Sequence, residues 1–130
     1  MSLVIWLDDF RNPDYHLGEH YMKVHEVHWC KNAEEFKTKF AALLPTAVHF
    51  DHDLLPEHYT PKEYWGEYDA SAKYQASKGH KDTGYDCALW MLKYCRENKV
   101  SIPYYTSHSA NPVGRDRILS MLNWETKENV

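Results

Sequence analysis

Apolar and polar positions along this chain switch between two periods, and the switches mark its elements. Leu3-Val4-Ile5-Trp6-Leu7 is a continuous apolar run closed by Asp8 and Asp9, the pattern of a strand covered on both faces. Phe10 to Asp14 follows as turn chemistry, because Pro13 pushes Asn12 out of the helical region. Residues Tyr21 to Trp29 predict a second strand, with untidy alternation. Asn32 then caps a helix with Glu35 three residues on, a variant of the capping box. Ala33, Phe36, Phe40, Leu43 and Leu44 form its apolar stripe, and Pro45 stops it. Ala47-Val48-His49-Phe50 is the third strand, running into Asp51-His52-Asp53.

The stretch from Leu54 to Asp82 differs from its surroundings. It carries Pro56, Pro61, Gly66 and Gly79 among Tyr59, Tyr64, Trp65, Tyr68 and Tyr74, with no sustained apolar period. A connection of this length within a small domain is usually functional. It is expected to act as a lid whose aromatics stack on a base, against the plainer reading of a packed excursion or a homodimer contact. Regular structure resumes at Thr83-Gly84-Tyr85-Asp86, which has capping-box spacing, with Tyr85, Ala88, Leu89, Leu92 and Cys95 on one helical face. Pro103 to Thr106 supplies a fourth strand, and Asn111-Pro112 opens a last helix with the stripe Ile118, Met121 and Leu122. Strands and helices alternate throughout, so the fold class is α/β.

Chemistry-bearing residues fall where strands end. In an open α/β sheet the carboxyl ends of parallel strands converge on one crevice, where ligands bind. Asp8-Asp9, Asp51-His52-Asp53 and His108-Ser109-Ala110-Asn111 would meet there. Four clustered carboxylates repel one another unless a cation or shared proton compensates. Asp8, Asp9, Asp51 and Asp53 are therefore candidate ligands for Mg²⁺ or Mn²⁺, which take oxygen donors and tolerate water and phosphate. Helix capping would explain single aspartates, but explains pairs behind apolar runs poorly. Zinc suits the set less well, since the cysteines are scattered, although His52 and His108 keep it open.

His52 and His108 are the candidate acid–base groups, because histidine titrates near neutral pH. His25, His28 and His49 lie within strands and read as packed side chains, and His16, His20, His58 and His80 as surface residues. Ser109, Asn111 and the amides opening the last helix form a candidate anion site, with Arg115 one turn in and Arg11 just past the first acidic pair. Asn111 as a plain cap and the arginines as solvated charges are the simpler alternatives.

Composition narrows the partners. The 130 residues suit one domain, and 43% hydrophobic with 15% aromatic residues provides a core. A formal net charge of −4 gives no basic footprint for long duplex nucleic acid, but permits a short or terminal phosphate ligand. Cys30, Cys87 and Cys95 contain no CxxC pair and read as reduced core residues. No signal peptide opens the chain, and no apolar run approaches the ~20 residues of a membrane span. A cytoplasmic location without membrane attachment is the expectation.

The layout resembles the response-regulator receiver domain: an acidic pair after the first strand, an aspartate after the third, a hydroxyl residue after the fourth. By motif, Asp8 and Asp9 match the metal-binding pair, Asp51 the phosphoacceptor, Ser109 the hydroxyl and Gly84 the glycine opening the third helix; Asp53 falls where a backbone carbonyl usually ligates metal. More closely, LDDFRNP (residues 7–13), FDHDL (50–54), TGYD (83–86) and HSANPVG (108–114) resemble the cyclic-phosphate-processing receiver-like family. That resemblance implies a flavodoxin-like parallel sheet of about four strands, ordered 2-1-3-4, with helices on both faces. It also implies hydrolysis of a cyclic or terminal phosphate on a nucleotide or RNA end. The metal held by Asp8, Asp9 and Asp51 would bind the phosphate and screen its charge. His52 or His108 would move protons, with Asp51 either nucleophile or metal ligand. Room for a receiver's fifth strand and its lysine is lacking, which argues against phosphorelay signalling through Asp51. The alternative is a non-enzymatic module that binds phosphate, nucleotide or protein through the same crevice.

Overall fold

The computed structural model describes residues 2–52, 54 and 83–127. Their order is β1 (Ser2–Leu7), α1 (Pro13–Leu17), α2 (Glu19–Val24), β2 (His25–Cys30), α3 (Ala33–Leu43), β3 (Ala47–Phe50), α4 (Gly84–Asn98), β4 (Tyr104–Ser107) and α5 (Pro112–Lys127). The four strands form one sheet in the order β2-β1-β3-β4, every neighbouring pair parallel. This is the receiver-like, flavodoxin-type α/β architecture that the alternation of elements predicts. Leu7 pairs with both Cys30 and Phe50, and Phe50 with Ser107. The segments bearing Asp8, Asp51 and His108 therefore leave the sheet at one edge, side by side.

Alternation along the strands sorts the two faces. Ile5, Leu7, Cys30, Val48 and Phe50 point to the main core, shared with Phe36 and Phe40 of α3, Met91 and Leu92 of α4, and Ile118 and Leu122 of α5. Phe36 and Phe40 meet Trp90 and Tyr94 edge-on across the α3–α4 contact, at 5.8–6.0 Å. All three cysteines are free and buried, and burial raises the Cys30 thiol to about 11, which keeps it an inert apolar group. The opposite face carries Trp6 and His49. There α1 and α2 contribute His16, stacked on Trp6 at 5.8 Å, and Tyr21, whose hydroxyl lies 3.2 Å from His49 Nε2.

Several expectations need correction. The second strand begins at His25 rather than Tyr21, because residues 19–24 form α2. Gly18 sits at φ +86°, a conformation natural to glycine, and its carbonyl accepts from Met22 N–H to open that helix. None of the residues of α2 is buried, so Tyr21 and Val24 gain no strand packing to outweigh the helical turn. The turn at Phe10–Asp14 runs into the short helix α1, with Asn12 as cap and Pro13 in its first turn. Leu44 and Leu89 do not join the core. Leu44 is the left-handed cap of α3, and Leu89 is 42% exposed while Cys87 and Met91 take the inward positions. The fourth strand is Tyr104–Ser107, displaced by one residue. No helix among the described residues is long and apolar enough to cross a membrane. The segment read as a lid lies, from Leu55 to Asp82, outside the described residues.

Candidate metal centre at the strand ends

Asp8 follows β1 directly and is fully buried. Its N–H donates to Cys30 O, and its carbonyl accepts from the Trp29 indole at 2.7 Å, so its backbone is clamped to β2. The carboxylate is equally constrained. Oδ1 accepts from the N–H groups of Phe10 and Arg11 at 3.0 and 2.9 Å, and Oδ2 faces His108 Nε2 at 2.8 Å. Burial by itself would raise this carboxyl, but the hydrogen bond from His108 and the two backbone donors hold it below the ordinary carboxylate value. Asp8 is an anion at neutral pH.

His108 leaves β4 on the chain running to α5. Its ring stacks on Trp6 at 3.7 Å between centroids and 8° between planes. Its carbonyl accepts from Arg11 Nη1 at 2.9 Å, which ties the loop after β1 to the loop after β4. Burial pushes the imidazole below its ordinary value; the bond to Asp8 and its charge pull the other way, and the Arg11 and His16 charges add to burial. The ring is thus neutral near pH 7. Since only an N–H can donate to a carboxylate, Nε2 carries the proton and Nδ1 the lone pair. Nδ1 is buried, with no hydrogen-bond partner among the described residues.

Asp51 follows β3, its N–H donating to Leu7 O and its Oδ1 accepting from His52 N–H at 2.9 Å. One ligand atom each from Asp8, Asp51 and His108 lies within 4.8 Å of the other two. Two buried carboxylates at that range are oxygen donors suited to a divalent cation, which would relieve the repulsion between Asp8 and Asp51, with His108 bonded to Asp8 beside them. A carboxylate offers about four lone-pair sites, so the bonds to Asp8 leave room for an ion.

The remaining candidates separate around this core. Asp9 is half-buried beside Asp8 but is not one of the three grouped residues. Asp53 lies outside the described residues. His52 is 3% exposed, with its ring seated against Gly114. Ser109 is buried at the entry to α5, and its Oγ accepts from Asn111 N–H at 3.1 Å. Asn111 caps the helix, its Oδ1 accepting from Gly114 N–H at 3.1 Å. Arg115 is exposed and lies 4.0 Å from Asp116. Arg11 joins the site through His108, a contact spanning 97 positions that no local pattern announces.

Sequence reasoning did not assign Trp6, Trp29 or Gly114 to the site, and it named Gly84 only through the receiver resemblance. Trp6 supplies the surface on which His108 lies, and Trp29 fixes the Asp8 carbonyl. Gly84 and Gly114 permit contact where a side chain would collide. A Cβ on Gly84 would come within 1.7 Å of Asp51 O, and one on Gly114 within 2.3 Å of His52 Cγ. The glycines gave a signal, since each opens a helix right after a polar cluster. The tryptophans gave none beyond strand membership.

A parallel sheet with an acidic residue after its first strand, another after its third and a polar loop after its fourth defines a receiver-like protein. The family model for the cyclic-phosphate processing receiver domain matches residues 3–124, and the chain belongs to that family. No curated protein and no solved structure matches it.

Proposed function

We propose that this protein is a divalent-metal-dependent phosphoesterase acting on a cyclic or terminal phosphate of a nucleotide or RNA end. The observation carrying the proposal is the buried convergence of Asp8, Asp51 and His108 at the carboxyl edge of the sheet. Asp8 and Asp51, with Asp9 and Asp53 as their sequence neighbours, would hold Mg²⁺ or Mn²⁺. Such an ion, when bound, neutralises phosphate charge and polarises the phosphorus–oxygen bonds.

The protein's own part is orientation and proton movement. Asp8 fixes the His108 tautomer, leaving Nδ1 as the base that takes a proton from water and returns it to the leaving oxygen. Stacking on Trp6 holds the ring in that plane. Ser109 and the positive end of the α5 dipole would favour a phosphate oxygen there. Arg11 secures the relation between the two loops.

A second reading is favoured by the burial of the acid–base candidate His52, 3% exposed. A module that binds a phosphate without cleaving it needs no accessible acid–base group. Incubation with 2′,3′- and 3′,5′-cyclic nucleotides in Mg²⁺ or Mn²⁺ separates the readings. Turnover that is lost in Asp51→Asn supports the phosphoesterase. Binding without turnover supports the module, and stable labelling of Asp51 by acetyl phosphate would point to signalling instead.

A further inference from the structure

Two aromatic–cation pairs flank Asp8, and they differ in what they can still do. On the β2 side, Lys31 Nζ lies 4.5 Å from the centroid of Trp29, whose indole N–H is committed to the Asp8 carbonyl. On the other side the Arg11 guanidinium stands 5.7 Å from the centroid of Phe10. Phe10 is 63% exposed, although its own N–H is bonded to Asp8 Oδ1 at 3.0 Å. A single exposed phenylalanine on a surface means little. This one is anchored by its backbone to the carboxylate at the centre of the site, with its ring turned outward beside a cation.

We infer that Phe10 is the stacking platform for the substrate's nucleobase, so that the substrate is a base-bearing nucleotide rather than a sugar phosphate. The inference rests on the phosphoesterase reading and deepens it. A nucleotide carries its base one ribose away from its phosphate. With the phosphate at the Asp8–Asp51 centre, the base arrives at the rim, where an aromatic face meets any base without sequence preference. Arg11 and Lys31 make that rim cationic, complementary to a phosphate ligand and opposite in sign to the aspartates beneath. Arg11 also holds the Phe10 backbone in place, since its own N–H shares Asp8 Oδ1 and its Nη1 grips the His108 carbonyl.

The test compares wild type, Phe10→Ala and Phe10→Trp on adenosine 2′,3′-cyclic phosphate and on methyl riboside 2′,3′-cyclic phosphate, which has no base. Phe10→Ala is expected to raise KM for the nucleotide about fivefold or more, the low end of the loss of one stacked base, with kcat little changed. KM for the base-free substrate stays at the wild-type value, and Phe10→Trp restores the nucleotide KM. Equal effects on both substrates, or none on either, overturn the inference while leaving the phosphoesterase standing. If wild type turns over neither substrate, the phosphoesterase reading fails. The inference is then tested by binding of adenosine 3′-phosphate against methyl riboside 3-phosphate in Mg²⁺. It survives only if wild type prefers the nucleotide and Phe10→Ala abolishes that preference.

Discussion

Asp8 Oδ2 and His108 Nε2 stand 2.8 Å apart, joined across 100 positions of sequence and the full width between β1 and the loop after β4. Neither residue is positioned by this bond alone. Two backbone N–H groups hold the other oxygen of Asp8, and Trp6 covers the face of His108. The pair is a fixed acceptor with a fixed imidazole, and its consequence is a neutral ring whose unprotonated nitrogen is Nδ1.

That arrangement separates chemistry from stability at His108. A glutamine there keeps an N–H for Asp8 but has no basic nitrogen. His108→Gln is expected to lower kcat about 10²- to 10⁴-fold, the usual worth of a positioned proton-transfer group. Its denaturant midpoint should stay close to wild type. A variant with full activity would remove His108 from the chemistry, and one that unfolds readily would show the ring to be chiefly a packing group.

Asp51 presents the opposite balance. Without a cation, two buried carboxylates repel, so Asp51→Asn should melt above the ion-free wild type, by about 0.5–2 kcal/mol of added stability. Mn²⁺ should stabilise wild type logarithmically once its concentration exceeds Kd, and leave the variant unmoved. Thermal melting with and without Mn²⁺ reads both effects. An equal response of the two proteins to the ion would place the metal elsewhere or nowhere.

The sheet and the placement of Asp8 and Asp51 were legible because each rests on a short rule. Apolar runs become covered strands, and polar residues directly behind them reach the carboxyl edge. Leu7 and Phe50 pair in register, which is why both aspartates emerge together. What was not legible depends on contacts between distant elements. The same string that contains His108 contains Gly114, yet its contact with His52 exists only once α5 is docked on β4. Residues 19–24 misled for a different reason. Tyr21 and Val24 are strand-forming residues, but Gly18 and an i,i+4 pair of Glu19 with Lys23 at 3.1 Å favour a helical turn on an exposed surface.

Acid should destabilise the protein well above the range where carboxylates protonate. His49 packs against Trp6 at 5.5 Å, and burial, then the His108 and His25 charges, lower its pKa to about 4. Unfolded, it would titrate near 6.5. Between these values the unfolded chain binds the proton and the folded chain does not, so stability falls as pH drops from about 6.5 to about 4. His108 and Asp8, both shifted downward, act in the same direction, the carboxylate only below its unfolded value. His49 alone accounts for roughly 3 kcal/mol across its window. Urea midpoints at pH 7, 5.5 and 4.5 should decline steadily in wild type, and His49→Phe should flatten that slope.

The two glycines provide a prediction whose sign runs against local propensity. Alanine is favoured over glycine in a helix interior by about 1 kcal/mol, so Gly114→Ala in α5 would stabilise an isolated helix. Here its Cβ would meet the His52 ring at 2.3 Å, and the ring, already buried, can yield only by disturbing the loop after β3. Gly114→Ala is expected to cost about 1–3 kcal/mol, the range for overfilling a packed site. Gly84→Ala should cost more, because the atom in its path, at 1.7 Å, is the Asp51 carbonyl oxygen, a backbone group fixed by the β3 register. Moving it would also displace the Asp51 carboxylate, so this variant should lose Mn²⁺ affinity along with stability. Calorimetric melting of both variants, followed by Mn²⁺ titration of whichever remains folded, tests the ranking. A Gly114→Ala protein more stable than wild type would mean that His52 is not held against α5 as described.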